Sequence, residues 1–271
     1  MTRPSARTST ITVSVVTIAY NDREGLRRTV ESVRAQTWTD IEHIVVDGGS
    51  TDGTREWLES LDSRTAWLSE RDNGRYDGMN KGIARASGRL IWFLNSGDWF
   101  RDDDTVAHVV AEYSEAEFAW AYGLSNIVSQ GKTTAIGGRL PFELPRFLLG
   151  GRVVPHQAAV FTAETVRTIG GYNVTFGLAA DQLFIAQAAL LSTPHTIARV
   201  LCNFDASGAG STRGAWHHYR DMTRTRDAVG VRVTGSRITD RGLSLTLWVG
   251  TVIQRKSRSA LRRLRPRSVE R

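Results

Sequence analysis

Cysteine is almost missing from this sequence, because Cys202 is the only one among 271 residues. A lone cysteine excludes an intrachain disulfide, and no Cys/His group shows the spacing of a zinc site. Both absences favour a reducing, cytosolic protein over a disulfide-stapled secreted one. Residues 1–10 contain no apolar segment of the kind that a secretory signal needs, so we expect them to form a disordered lead-in.

An excess of positive charge is missing from most of the chain, although the formal net charge is +7. Of the 35 Lys and Arg, eight lie within residues 254–271 against one of the 28 Asp and Glu, which leaves 27 of each sign in residues 1–253. Nucleic-acid-binding domains carry a basic face of their own. A body without net charge therefore argues against nucleic acid as a partner.

Long apolar runs are also lacking. The stretch from Leu243 to Ile253 has eleven residues, whereas a helix that crosses a bilayer needs about 20. Apolar residues followed by a basic run are typical of a segment that lies on an anionic membrane surface. We predict C-terminal helices over 213–271, whose amphipathic, basic part at 243–271 holds the protein on the inner face of the plasma membrane. A helix docked on the body, with a solvated basic end, is the alternative.

Short apolar segments alternate with helical patterns along the chain. The β-branched run Thr12–Ile18 is typical of a strand buried on both faces, and helical spacing follows over 23–36. The alternation predicts an α/β fold with a mostly parallel central sheet and flanking helices. Further strands are predicted at 41–46, 66–68, 89–94, 118–124, 126–136, 158–161 and 196–201, and helices around 57–61 and 79–86, near 143–149, and at 163–169 and 181–191.

Polar clusters follow the first four predicted strands, at Tyr20-Asn21, Asp47 to Asp52, Asp72 to Asp77 and Asn95 to Asp98. Each cluster alone is ordinary turn chemistry. The carboxyl ends of parallel strands meet at one edge of a sheet, and ligands bind outside that edge. The four clusters together therefore predict one site for a polar, charged ligand.

The same clusters carry a family resemblance. Four motifs appear in order: Val13–Asn21, Val45–Thr54, Asp72–Gly82 and Leu94–Asp98. This arrangement resembles family 2 glycosyltransferases with the GT-A fold, especially small bacterial enzymes of cell-surface glycolipid or polysaccharide assembly. The resemblance is strong over 12–100 and looser over 101–212. It implies a Rossmann-like GT-A domain over 11–212, with a nucleotide-sugar-binding half (11–100) and an acceptor half (101–212).

The resemblance implies that a nucleoside-diphosphate sugar binds at these strand ends. Asp47 is expected to accept hydrogen bonds from a base N–H or from ribose hydroxyls, and the backbone of 17–20 to line the same pocket. Asp77 is expected to cap a helix and to contact the nucleotide. Asp52 is either a ligand or a helix cap, and Lys81 either meets phosphate or is solvated. The predicted donor-binding residues are Thr17, Ala19, Tyr20, Asn21, Asp47, Asp77, Asn95 and Ser96.

A diphosphate leaving group needs its charge neutralised, and a divalent cation held by oxygen ligands does this. The resemblance places the family's Asp-x-Asp metal motif at 95–97, where this chain reads Asn95-Ser-Gly97. Both motif aspartates are absent, and only the following Asp98 remains. We expect Asp98 to hold Mn²⁺ or Mg²⁺ weakly, with an Asn95 carbonyl assisting. A turn residue without a ligand role is the alternative for Asp98.

The acceptor side depends more on the resemblance. The segment Leu178–Asp181 resembles the one that carries the family's catalytic carboxylate, and an inverting transfer needs a base to deprotonate the acceptor hydroxyl. Asp181 is the predicted base, with helix capping as its alternative, because the usual second acid is missing. His156 and Gln157 resemble a pair near the acceptor and are predicted acceptor contacts, against a structural role for the histidine. Residues 207–211 resemble a loop that closes over the donor.

These patterns together predict an inverting, metal-dependent glycosyltransferase. It would move a hexose from a nucleoside-diphosphate sugar to a hydroxyl of a lipid-linked or cell-envelope saccharide. Two alternatives stay open. One is a catalytically inactive, membrane-docked nucleotide-sugar-binding protein on the same fold. The other is a nucleotidyltransferase, which would need a glycine-rich loop with Arg or Lys after the first strand, and Ala19–Asp22 is not such a loop.

Overall fold

The computed structural model describes residues 11–207 and 214–264. Its first part follows the predicted alternation closely. The Asp22 carboxylate accepts a hydrogen bond from the Gly25 N–H and caps the first helix, whose apolar side, including Leu26 and Val30, is buried. The elements here are β1 Val13–Ala19, α1 Arg23–Arg34, β2 Ile41–Asp47, α2 Thr54–Glu59, β3 Thr65–Ser69, α3 Arg75–Ile83 and β4 Leu90–Phe93.

The second part of the chain is less regular. Two short 3₁₀ segments, His156–Ala158 and Val174–Ala179, interrupt it. Its other elements are β5 Trp99–Phe100, α4 Thr105–Ala116, β6 Trp120–Ser129, β7 Lys132–Gly137, α5 Leu144–Leu148, β8 Ala159–Thr162, α6 Ala163–Ile169, α7 Ala180–Leu191, β9 His195–Asp205, α8 Ala215–Ala228 and α9 Arg237–Leu264.

Two sequence-based expectations for this part were wrong or incomplete. The strands predicted at 118–124 and 126–136 are instead a hairpin, because β6 continues through the buried Ser125 and turns at Gln130-Gly131, where both residues have positive φ. The turn therefore lies where glycine and a left-handed backbone permit it. Helix α4 and the two-residue strand β5 were not predicted.

The strands form one sheet in the order β3-β2-β1-β4-β8-β6-β9-β5, with β7 paired to β6. Strands β3, β2, β1 and β4 are parallel neighbours, and β6 pairs parallel with β9. Strand β8 lies between β4 and β6 and runs antiparallel to both. Strand β5 pairs antiparallel with β9, and β7 pairs antiparallel with β6. Four of the eight pairings within the described residues are thus parallel, so the sheet is mixed, with the predicted parallel arrangement in its first four strands.

The register brings the polar strand ends to one edge. Ala19 pairs with Asp47, and Asp47 pairs with Ser69, so three strands end side by side. The chain after β4 continues alongside β1, because the Leu94 N–H donates to the Val16 carbonyl and the Ser96 N–H donates to the Ile18 carbonyl. The loops after β1, β2, β3 and β4 therefore share this edge, which we call the carboxyl edge.

Apolar residues cover both faces of the sheet. Phe93, Phe161 and Phe184 belong to the core on one face, and Trp92 and Val160 to the core on the other. Within the described residues, one helical segment, Val174–Leu191, has the length and mean hydropathy (1.5) that a membrane span needs, and half of it is buried. Its last twelve residues form α7, a core helix, so this is weak evidence for a span.

The C-terminal helices are attached to the body. Met222 of α8 is buried in the core. The buried Arg226 lies 3.7 Å from the Asp240 carboxylate and donates hydrogen bonds to the Leu148 carbonyl and to Ser244 Oγ. Helix α9 is thus anchored near its start, as the docked alternative expected. Farther along it, several apolar side chains are exposed, namely those of Leu243, Leu245, Leu247, Val249 and Ile253.

Candidate active site

The loops at the carboxyl edge are tied to one another by short hydrogen bonds. Asn21 has a left-handed backbone (φ 50°), its N–H donates to Ser50 Oγ, and its side-chain oxygen accepts from the Thr51 N–H. Ser50 in turn donates to the Asp47 carboxylate. The loop after β1 is therefore fixed to the loop after β2, and Tyr20 is left 66% exposed at the rim.

Asp47 lies at the predicted edge, but its carboxylate is completely buried. It accepts hydrogen bonds from the N–H and Oγ of Ser50 and from Ser69 Oγ. In this structure the carboxylate therefore holds two loops together, and its predicted contact with a base or ribose stays a prediction. Thr17 is also completely buried, with its Oγ1 hydrogen-bonded to His43 Nε2 at 3.0 Å.

The predicted helix caps at this edge need correction. The cap of α3 is Gly74, and Asp77 lies in the first turn, where its carboxylate accepts from the Asn73 N–H. Asp52 precedes the cap of α2 and accepts from the Thr54 and Arg23 N–H groups. Both carboxylates therefore accept hydrogen bonds from backbone N–H groups of a loop or a helix start, but neither residue is the helix cap.

Lys81 is neither solvated nor available as a free cation. Its ammonium lies 2.9 Å from the Glu70 carboxylate and 3.6 Å from that of Asp77, and it donates to the Arg71 carbonyl. The hydrogen bond to Glu70 raises the pKa of Lys81. The ammonium is thus paired rather than freely solvated, and its contact with phosphate stays a prediction.

Asp98 lies deep at the carboxyl edge, only 4% exposed. Its Oδ1 accepts from the Asp205 N–H at 3.0 Å, and Ser96 Oγ links the same turn to the Asp22 carboxylate at 2.7 Å. Burial raises the pKa of Asp98 to about 8, the Asp205 and Asp22 carboxylates add to the rise, and the charge of Arg75 opposes it. A cation close to Asp98 would displace its proton.

The chain offers a divalent cation few ligands. Among the described residues, the buried Asn95 Oδ1 has no hydrogen-bond partner, so it is a candidate ligand from the same turn as Asp98. No group of three or more His, Cys, Asp or Glu positioned for a metal occurs within 11–207 and 214–264. Mg²⁺ often takes only one or two protein carboxylates and completes its shell with water and substrate phosphates. The residues present fit such a weak site.

Asp181 lies in the first turn of α7, not at its cap, which is Ala179. Its carboxylate accepts from the Gln182 N–H at 2.7 Å. Burial raises the pKa of Asp181 to about 6, against the lowering effects of the Gln182 hydrogen bonds and of Arg75, while Asp221 adds to the rise. An acid with that pKa is ionised at neutral pH and takes up a proton readily, as a general base must.

His156 and Gln157, in the 3₁₀ segment before β8, are buried. His156 Nε2 is hydrogen-bonded to the Tyr172 hydroxyl at 2.5 Å, and the ring stacks on Phe93 with centroids 5.5 Å apart. Burial lowers the pKa of His156 to about 4, with a further effect of Arg75, so the ring is neutral. The contacts shown are structural ones, and the acceptor role of both residues stays a prediction.

Sequence reasoning assigned no role in the site to Asp22, Arg28, Arg75 or Asp205. Asp22 and Asp205 flank Asp98, and the Arg28 guanidinium lies 3.2 Å from the Asp205 carboxylate. Asp205 could have been predicted if the strand at 196–201 had been extended to the end of β9, because ligands bind outside the carboxyl ends of strands. Arg75 lies inside a quoted motif without an assigned role, yet its charge acts on Asp98, His156 and Asp181. The predicted closing loop at 207–211 lies mostly outside the described residues.

Comparisons with known proteins agree with this geometry. The family profile described as glycosyl transferase family 2 matches residues 14–163. An uncharacterised glycosyltransferase of Mycobacterium tuberculosis is 48% identical over 225 residues, which cover 81% of this chain and 85% of that protein. A PGL/p-HBAD biosynthesis glycosyltransferase of Mycobacterium bovis is 32% identical over 193 residues, covering 69% of this chain and 73% of its own.

Solved structures give the fold. Residues covering 88% of this chain superpose on 71% of S. aureus TarS 1–349 in complex with UDP-GlcNAc, with a TM-score of 0.66 and 16% identity. The mannosyltransferase PcManGT from Pyrobaculum calidifontis, in complex with GDP-Man and Mn²⁺, matches over 91% of this chain and 76% of its own at a TM-score of 0.59 and 16% identity. The chain spans 42% of the longer TarS structure. The architecture is thus the GT-A fold that the sequence predicted.

Proposed function

The chain belongs to glycosyltransferase family 2, and we propose that it is an inverting enzyme that moves a hexose from a nucleoside-diphosphate sugar to a hydroxyl of a lipid-linked or cell-envelope saccharide. One observation carries the proposal. Asp98 at the strand ends and Asp181 at the start of α7 come from separate halves of the sequence, yet the charge of one residue, Arg75, acts on both. Asp98 and Asp181 therefore both lie within electrostatic reach of Arg75, as a leaving-group site and a base that act on one donor would need to.

The chemistry follows from these positions. The Asp181 carboxylate removes the proton from the acceptor hydroxyl as its oxygen attacks the anomeric carbon of the donor. The bond between that carbon and the diphosphate oxygen breaks, and its electron pair leaves with the nucleoside diphosphate. Attack from the side opposite the leaving group inverts the anomeric centre. Asp181 ends the step protonated, which its raised pKa of about 6 favours.

The donor side binds and neutralises the diphosphate. The exposed ring of Tyr20 and the loops fixed by Asn21 border the nucleotide, with Ser96 beside them at the edge. A divalent cation, Mn²⁺ or Mg²⁺, held by the Asp98 carboxylate and the unpaired Asn95 oxygen, would supply additional neutralisation of the leaving diphosphate. The printed titles of two structural neighbours, with UDP-GlcNAc and with GDP-Man and Mn²⁺, support this class of donor and cation.

The acceptor is proposed from the name of a relative and from the surface of α9. A relative named for PGL/p-HBAD biosynthesis supports an acceptor of the cell envelope. The exposed apolar side chains of α9, followed by the basic run of 254–271, support contact with an anionic membrane and a peripheral position on the inner face of the plasma membrane. The side chains of 254–264 and residues 265–271 lie outside the described part, so this contact rests on the sequence pattern.

A thermal-shift panel tests the proposal directly. The full chain is heated with UDP, GDP and dTDP, each with and without Mn²⁺, and the melting temperature rises with the ligand that only the folded state binds. Sugar nucleotides of the selected base are then assayed for release of the nucleoside diphosphate. Binding without any release, with or without candidate saccharide acceptors, would favour the alternative of an inactive nucleotide-sugar-binding protein.

A further inference from the structure

We propose that Arg75 is the residue that binds the donor diphosphate, contacting its oxygens with a half-buried guanidinium at the start of α3. The inference rests on the proposed function. It assigns to one side chain the neutralisation of phosphate charge that a cation held by a full metal motif would otherwise provide. Positions 95 and 97, where the family resemblance expects aspartates, hold Asn95 and Gly97. The cation site is therefore short of carboxylates, whereas the phosphate charge of the donor remains the same.

Helix α3 is held in place between the two halves of the protein. The Tyr76 hydroxyl donates to the Leu178 carbonyl at 3.3 Å, three residues before Asp181. Asn80 and Tyr172 exchange two hydrogen bonds, from Asn80 Nδ2 to the Tyr172 carbonyl (2.9 Å) and from the Tyr172 N–H to Asn80 Oδ1 (2.8 Å). The first residue of this helix is thus positioned relative to both the donor and the acceptor sides.

The start of α3 also borders open space. Its cap, Gly74, has φ 107°, and none of the described residues places a heavy atom within 4 Å of the position that a Cβ there would take. Among the same residues, no side chain caps this helix start. A ligand can therefore approach the first turn, where the helix dipole favours negative charge. A charged side chain at this point adds a directional, charge-assisted partner for phosphate oxygens.

Arg75 is uncommitted within the described part of the chain. Its guanidinium has no ion pair or hydrogen bond among residues 11–207 and 214–264, in contrast to Lys81 on the same helix. Its charge opposes the burial-driven rise in the pKa of Asp98 and of Asp181 and adds to the fall in that of His156. The charge of Arg75, unpaired among the described residues, thus lies within electrostatic reach of Asp98, Asp181 and His156.

The chemistry of the side chain favours diphosphate over the alternatives. Arginine presents a planar set of N–H donors that can bridge two phosphate oxygens and stays charged at any physiological pH. A structural role would require a partner in the resting protein, and none is found among the described residues. A purely electrostatic role toward Asp181 would not depend on the number of phosphates in the ligand.

The test measures binding rather than turnover. Calorimetric titrations of UDP, GDP and dTDP, and of the matching monophosphates and nucleosides, are made with the full chain in EDTA and again in millimolar Mn²⁺. The variants are Arg75→Gln, Arg75→Lys and the matched control Arg85→Gln, which removes the same charge from an exposed arginine just beyond the other end of α3. Melting temperatures of the unliganded proteins verify that each variant folds.

We expect Arg75→Gln to weaken the bound diphosphate about 10- to 100-fold in EDTA, as loss of a charge-assisted hydrogen bond predicts. The affinity of Arg75→Gln for the nucleoside should stay within about twofold of the wild type, and Arg75→Lys should recover part of the lost diphosphate affinity. Mn²⁺ should increase the diphosphate affinity of Arg75→Gln more than that of the wild type. The control Arg85→Gln should bind all ligands as the wild type does. Equal weakening of nucleoside and diphosphate, or diphosphate binding unchanged in Arg75→Gln, would overturn the inference. A wild type that binds none of the three diphosphates, even with Mn²⁺, would overturn the proposed function and the inference with it.

Discussion

Two buried carboxylates, Asp47 on the donor side and Asp181 on the acceptor side, are held in opposite ways. On the donor side, Asp47 is completely buried, and three donors from Ser50 and Ser69 satisfy its oxygens. On the acceptor side, burial raises the pKa of Asp181 to about 6, and the neighbouring Gln182 Oε1 is buried with no partner in the described part of the chain. The first arrangement stabilises the fold, whereas the second holds a group whose ionised form costs stability.

The difference indicates how the work is divided. The Asp47 carboxylate acts mainly by holding loop geometry. Asp181 is an acid poised to change its charge, which a stable fold alone would not select, and burial raises the pKa of Asp98 on the donor side in the same way. Asp47→Asn and Asp181→Asn look alike but should therefore have opposite consequences for stability.

The largest expected effect is on transfer by Asp181→Asn. Removing the base should lower kcat about 10²- to 10⁴-fold, because general base catalysis contributes that much, while the dissociation constant for the nucleoside diphosphate changes little. Steady-state assays with a sugar nucleotide and calorimetry with its diphosphate measure both. The control Glu164→Gln removes an exposed acid of the same half and should keep full activity. Loss of donor binding together with activity would contradict the base role.

The stability of Asp181→Asn tests the contrast between Asp47 and Asp181. Because the folded pKa of Asp181 is about 6 against an ordinary value of 3.8, its favourable contribution is complete below about pH 4 and is lost as the pH rises through 6. Asp181→Asn should therefore raise the free energy of unfolding above pH 6, by at most about 3 kcal/mol for a shift of this size.

Asp47→Asn should do the reverse and lower the free energy of unfolding by about 1–3 kcal/mol, since an amide cannot accept from all three donors. Urea denaturation of both variants at pH 5 and pH 8 separates the two cases, because the Asp181 effect fades at the lower pH. A destabilised Asp181→Asn at pH 8 would remove the contrast between the two sides.

The sequence allowed much of the donor side to be predicted, because its polar residues follow their strands directly and turn chemistry is local. What it could not reveal is the partner set of Asp47, since Ser69 reaches it only through the pairing of β2 with β3. The role of Arg75 likewise depends on helix α3 being bonded to the Tyr172 and Leu178 segment of the other half.

The acceptor side was harder to predict for a topological reason. Strand β8 enters the sheet between β4 and β6, antiparallel to both, and so carries His156 and Gln157 to the middle of the sheet. No local sequence pattern predicts such an insertion, and the hairpin of β6 and β7 was misread because β6 continues through the buried Ser125. Asp181 was found only through the family resemblance.

A smaller effect is expected for membrane binding. We propose that the membrane lies next to the acceptor side, because α8 contacts both α7 and α9. Deleting residues 254–271 removes a net charge of +7, and each basic residue near an anionic surface contributes about 1 kcal/mol at low salt. The affinity for vesicles containing phosphatidylserine, measured by sedimentation, should fall at least about tenfold. Binding of the nucleoside diphosphate, measured by calorimetry, should be retained. Vesicles of phosphatidylcholine are the control, and unchanged sedimentation would contradict membrane docking.

The smallest expected effect sharpens the electrostatic account of Asp181. Its ionisation should appear as an acid limb in the dependence of kcat/KM on pH, with activity rising as the pH passes about 6. Burial is the main cause of the raised pKa, and the Asp221 carboxylate adds to it, so Asp221→Asn should move this limb to lower pH by less than about one unit. The plateau at high pH should stay the same, because the base is fully ionised there in both proteins. A limb that moves to higher pH, or a plateau that falls with the substitution, would mean that Asp221 acts on the acceptor side through contacts other than its charge.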